Sequence, residues 1–151
     1  MPEIAKYYNG KLYDKKHLED WNLPEGILNQ LNFKNNDQYF VISSKEEQKH
    51  GQDHVHLSIY PTKFNVVYLL QIETPTIIPQ ILIDTLKIIR NKGFEIVTST
   101  GFCKTENICY YGVFFGSGNV NKESLLQEFN KLESINEANL FKFTCKGCIE
   151  T

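Results

Sequence analysis

The stretch Phe64–Ile72, FNVVYLLQI, is a near-continuous apolar run rich in β-branched and aromatic residues, and it reads as a central strand. Glu73-Thr74-Pro75 ends it. Thr76 then suits a helix N-cap, and Pro79 falls in the first turn, where a missing N–H costs little. Ile78, Leu82, Leu86 and Ile89 step by four, four and three with Ile81 beside them, one apolar stripe along a helix. Asn91-Lys92-Gly93 stops that helix, the glycine supplying a left-handed C′ position. Phe94–Phe102 and Ile108–Phe115 follow as two strands joined by the polar turn Cys103–Asn107, an antiparallel hairpin. Gly116-Ser117-Gly118-Asn119 breaks the chain. Asn121 caps a second helix with stripe Leu125, Phe129 and Leu132, and Asn139–Thr144 is a last short strand.

The order from Lys63 is therefore β-α-β-β-α-β, the split-βαβ or ferredoxin-like arrangement. Right-handed crossovers place both helices on one face of a four-stranded antiparallel sheet. The expected fold class is α+β, with a main unit over residues 63–151 and an N-terminal extension over residues 1–62 packed on it. The extension is polar and punctuated by turn signals at Asn9-Gly10, Pro24-Glu25-Gly26, Asn35-Asn36-Asp37 and His50-Gly51-Gln52-Asp53. Between these lie a short helix, about Pro24 to Leu31, and two strands, Gln38–Ser43 and His54–Tyr60.

Composition narrows the function classes. The 151 residues suffice for one well-buried core. No apolar run reaches the roughly 18 residues that span a bilayer, which argues against an integral membrane protein. Sixteen basic residues against 18 acidic ones give a net charge of −2, and Arg90 is the sole arginine. Such a balance supplies little field for phosphate backbones and argues against nucleic-acid binding. The first residues lack the basic and apolar regions of an export signal, so the four cysteines are expected as reduced thiols of a cytoplasmic protein. Cys145-x-x-Cys148 is half of a zinc site at most and reads as an exposed tail.

The turn Glu73-Thr74-Pro75-Thr76-Ile77, with Ile78 and Leu82 opening the helix, resembles the corresponding turn of the ACT family of amino-acid-sensing regulatory domains. The resemblance covers roughly Lys63 to Thr144 and rests on the Glu73-x-Pro75 turn and the lengths of the elements. It implies a non-catalytic regulatory protein that binds an amino acid or similar small carboxylate at Glu73, Thr74, Pro75, Thr76 and Ile77. Backbone N–H groups and the helix dipole would supply the attraction. It also implies pairing of sheets or edges between copies, so a homodimer is expected. Thr76 stands where the family usually has glycine.

Two other readings stand beside it. His50-x-x-x-His54-x-His56 gathers three of the four histidines, and on a strand His54 and His56 share a face. With His50 they are the candidate ligands of a metal site for zinc or iron, whereas the sensor reading needs no cofactor. In the alternative where the histidines merely line a solvated face, Val55, Leu57 and Ile59 turn to the core. The third reading is a structural subunit: nine strand aromatics, among them Phe102, Tyr110, Phe114 and Phe143, form an open sheet face, or are covered by the N-terminal strands or a second copy. Gly116-x-Gly118 lacks the last glycine of a dinucleotide fingerprint and reads as a plain turn.

Overall fold

The computed structural model describes residues 3–4, 8–46, 51–144 and 149–150. The chain is α+β, with two antiparallel sheets and four helices among the described residues. In order these are β1 (Asn9–Asp14), α1 (Lys15–Asp20), α2 (Glu25–Gln30), a 3-10 turn Phe33–Asn35, β2 (Gln38–Glu46), β3 (His54–Thr62) and β4 (Val66–Thr74). Then come α3 (Pro79–Asn91), β5 (Glu95–Thr105), β6 (Ile108–Gly116), α4 (Lys122–Asn130), β7 (Glu137–Thr144) and β8 (Ile149–Glu150). One sheet has the order β1-β2-β3; the other has the order β5-β6-β4-β7-β8. No helix among the described residues is long and apolar enough to cross a membrane.

Strand alternation sorts the side chains into layers. From β4, Leu70 and Ile72 join Val113, Phe115 and Leu140 under Ile81 and Ile89 of α3 and Leu125 and Phe129 of α4. From the same strand Val67 and Leu69 point the other way, to Phe114 and Phe143, and meet Leu12, Phe40 and Ile42 of the three-stranded sheet. Beyond that sheet, Tyr39 and Val41 face outward to Leu18 of α1 and Leu28 of α2. The order is helices, large sheet, small sheet, helices. Continuous apolarity in β4 follows from this, because both of its faces are buried.

The aromatic face of the large sheet is thus filled by the chain's own small sheet. Phe40 sits 5.4 Å from Phe114 and 5.8 Å from Phe143 by ring centroids, the second pair edge to face. That face is therefore no open docking surface, and the subunit reading loses the observation that motivated it.

Several local expectations hold. Gly93 has φ 76°, and Gly93 N–H and Phe94 N–H donate back to Arg90 O and Ile89 O, closing α3 by a Schellman arrangement. Asn121 accepts from Ser124 N–H at 3.0 Å and caps α4.

Others need correction. The cap of α3 is Ile78 rather than Thr76, it makes no side-chain hydrogen bond, and Pro79 occupies the first helical position. The buried stripe runs Ile81, Thr85 and Ile89, with Leu82 and Leu86 at its flank. Asn9-Gly10 opens a strand instead of a turn, and Lys15–Asp20 is a helix capped by Asp14, which accepts from His17 N–H at 2.9 Å. The large sheet has a fifth strand, because Ile149 and Glu150 pair with Phe143 and Lys142. The CxxC cysteines lie outside the described residues. Val55 and Leu57 do not turn to a core: they are 64% and 53% exposed, since the helices beyond the small sheet reach Ile59 but not the first half of β3.

Candidate functional site

The turn from β4 into α3 borders a cleft of about 390 Å³. Its floor is the start of α3, with Ile78, Ile81 and Leu82; its far wall is the β5–β6 hairpin, with Ser99, Phe102 and Tyr111. The walls are apolar apart from hydroxyl groups, and no charged side chain lines it. Sites for small molecules commonly have this character, a mostly apolar concavity with a few polar atoms that fix orientation.

The five residues of the turn are distributed unevenly. Thr74 and Ile77 line the cleft, and Ile77 is 74% exposed at its rim. Thr74 Oγ1 donates to Thr76 O at 2.6 Å, which holds the turn, while Pro75 and Thr76 are exposed and do not line the cleft. Glu73 points to the opposite face of the sheet, as alternation along β4 requires, and its Oε1 accepts from Tyr110 OH at 3.0 Å. The carboxylate the sequence placed in the site is thus engaged on the other side of the strand.

Two phenols flank the hairpin wall, Tyr110 turned to Glu73 on the far face of the sheet and Tyr111 on the face of the cleft. Burial first, and then the hydrogen bond to Glu73, push the Tyr110 hydroxyl up to about 12. The Tyr111 hydroxyl is buried without a hydrogen-bond partner. Burial pushes it above its ordinary value, partly opposed by the neighbouring Ser99 hydroxyl, which does not close a full hydrogen bond. Neither tyrosine was singled out by motif; their signal is positional, strand residues opposite the start of α3.

The hairpin carries a further feature. Cys103 and Cys109 stand opposite each other and form a disulfide. This corrects the expectation of reduced thiols, and it removes both cysteines from any metal site with the histidines. Cys109 is buried and lines the cleft, so the disulfide anchors one of its walls.

The histidine cluster lies elsewhere. His50 is outside the described residues. His54 and His56 are exposed on the same face of β3, and their Nε2 atoms are 3.1 Å apart. His56 also walls a smaller cleft of about 130 Å³ between the two sheets, with Ser44, Ser58, Tyr60 and Thr98 beside Ile42 and Phe114. No group of three or more histidine, cysteine or acidic residues converges as a metal site among the described residues.

Against known proteins, the chain matches no family model, and no curated protein matches its sequence.

Proposed function

We propose that the chain is a non-catalytic, ligand-binding regulatory protein of ferredoxin-like, ACT-like build. Its effector, an amino acid or similar small carboxylate with an apolar side chain, enters the cleft between the start of α3 and the β5–β6 hairpin. The observation that carries this reading is the cleft of about 390 Å³ at the β4–α3 turn, lined by Thr74, Ile77 and Ile78. Further support is the strand order β7-β4-β6-β5, in which the helices follow the first and third strands of the unit. The apolar walls suit the effector's side chain. Its carboxylate would meet the first turn of α3, which has no side-chain cap; Pro79 offers no N–H there and Ile81 N–H donates to Ile78 O, so Gln80 N–H is the donor nearest the turn. A cytoplasmic homodimer belongs to the same reading; with the aromatic face filled, its contact would run through strand edges such as that of β5.

The test is calorimetric titration with the amino acids one by one, on wild type and on Ser99→Trp. Ser99 is an exposed wall residue, so the indole fills the cleft without touching the core. Binding of one or a few apolar amino acids that drops at least tenfold in Ser99→Trp is the expected result. Unchanged affinity in the variant overturns the site, and no binding by any of them overturns the ligand class.

A further inference from the structure

We infer that His54 and His56 form a two-imidazole site for a divalent transition metal ion, distinct from the cleft at α3 and independent of the function proposed for it. The argument begins with the strand. Residues two apart on β3 project to the same side, and the first four residues of β3 are exposed, so both rings are accessible to an ion from solvent. Among the described residues β3 is also an edge strand of the small sheet, with no strand paired on its outer side.

The distance between the two nitrogens is informative. Two ligands each about 2.0–2.1 Å from one ion lie about 3.3 Å apart at a tetrahedral angle and about 2.9 Å apart at a right angle. The observed Nε2–Nε2 separation is 3.1 Å, between those limits. The separation therefore matches two ligands of one ion, and turning the two exposed rings brings both lone pairs onto it.

The second ring nitrogen of His54 is already arranged for the purpose. Its Nδ1 lies 3.1 Å from Gln52 O. A carbonyl only accepts, so Nδ1 carries the hydrogen and the lone pair of the neutral ring is on Nε2. A ligating histidine is held in this way, its other nitrogen donating to a carbonyl or carboxylate that fixes the tautomer. To ligate through Nε2, His56 would carry its hydrogen on Nδ1. Without an ion, the same 3.1 Å contact is an Nε2–H···Nε2 hydrogen bond from His56 to His54, so the metal replaces one shared proton position.

Imidazole nitrogen selects borderline ions, and two such ligands leave the remaining positions to water or to an added ligand. Because His56 also walls the cleft between the sheets, that water stands beside the hydroxyls of Ser44, Ser58, Tyr60 and Thr98 as well as Ile42 and Phe114. The expected affinity order follows the general series, with Cu²⁺ ahead of Ni²⁺ and Zn²⁺.

The experiment titrates Cu²⁺, Ni²⁺ and Zn²⁺ separately into the full chain, free of any affinity tag, at neutral pH. Wild type is compared with His54→Ala, His56→Ala and the control His17→Ala. All four are first checked for an unchanged far-ultraviolet circular dichroism spectrum. These are exposed side chains, and folding is expected to survive each change. One ion per chain, Cu²⁺ tightest, with affinity reduced at least tenfold in both β3 variants and unchanged in His17→Ala, is the expected outcome. Paramagnetic broadening by Cu²⁺ should centre on residues 52–58 in amide spectra. Equal affinity in all four proteins, broadening centred elsewhere, or no binding by wild type overturns the site.

Discussion

Tyr110 donates its phenolic hydrogen to Glu73 across the β6–β4 pair, in register and 3.0 Å from the carboxylate oxygen. Its hydroxyl is pushed up to about 12 from an ordinary 10, by burial first and by Glu73 second. A raised value means the folded state holds the proton where the unfolded chain releases it. The contribution is thus fully present below pH 10 and is lost as pH rises through about 12. Tyr110→Phe should lower stability by about 1 kcal/mol at neutral pH and flatten the decline between these limits. Urea midpoints measured from pH 8 to 11.5 check both; an identical alkaline slope in the two proteins would refute the assignment.

Gly112 leaves a hole that Ile4 fills. A Cβ there would lie 2.3 Å from Ile4 Cδ1 and 2.9 Å from Leu69 Cδ1. Ile4 is fully buried, and its N–H donates to Gln71 Oε1 at 2.9 Å, so the side chain is tethered as well as enclosed. Gly112→Ala is expected to cost about 1–3 kcal/mol by overpacking. Combining it with Ile4→Ala should cost less than the sum of the two, a coupling visible in a double-mutant cycle of denaturation midpoints.

Thr85 points its hydroxyl into the core beneath α3, fully buried and without a hydrogen-bond partner. Thr85→Val keeps the shape and removes the unsatisfied oxygen. Stability should rise by about 1 kcal/mol, read as a higher melting temperature with unchanged circular dichroism. A lower melting temperature would show that the hydroxyl is satisfied in solution.

The disulfide is directly measurable. Alkylation of the unfolded chain without reductant should leave Cys103 and Cys109 unmodified, and the peptides holding them should be linked in the mass spectrum until reduced. Because the cross-link closes a short loop, its reduction should lower stability by no more than about 2 kcal/mol.

Much of the fold was legible because its signals are local. The stop at Gly93, the cap at Asn121 and the hairpin turn expected over Cys103–Asn107, which the structure narrows to Glu106-Asn107, each act within a turn of chain. β1 and α1 were hidden for the same reason: Asn9-Gly10 has the composition of a turn, and Leu18 is the only residue α1 buries. The side chains of Val55 and Leu57 alternate as a core-facing pair would. Only the extent of the helices behind the sheet decides that they stay exposed. The disulfide could not be read from spacing either. A plain hairpin with Thr105 opposite Ile108 would place Lys104 opposite Cys109; an irregularity between Cys103 and Thr105 shifts the register and brings the cysteines together. At the candidate site, the sequence located the turn but not Glu73's direction, because strand alternation begins from a register that the preceding apolar run leaves undefined.

β4 is a party wall. Leu69 belongs to the chamber shared with Phe40 and Leu12, while its neighbour Leu70 belongs to the chamber roofed by Ile81 and Phe129. One backbone carries both linings, and Thr74 at its end borders the cleft. The strand that ends at the cleft is thus the one structural member common to both packed interiors, and its backbone position is fixed from two sides at once.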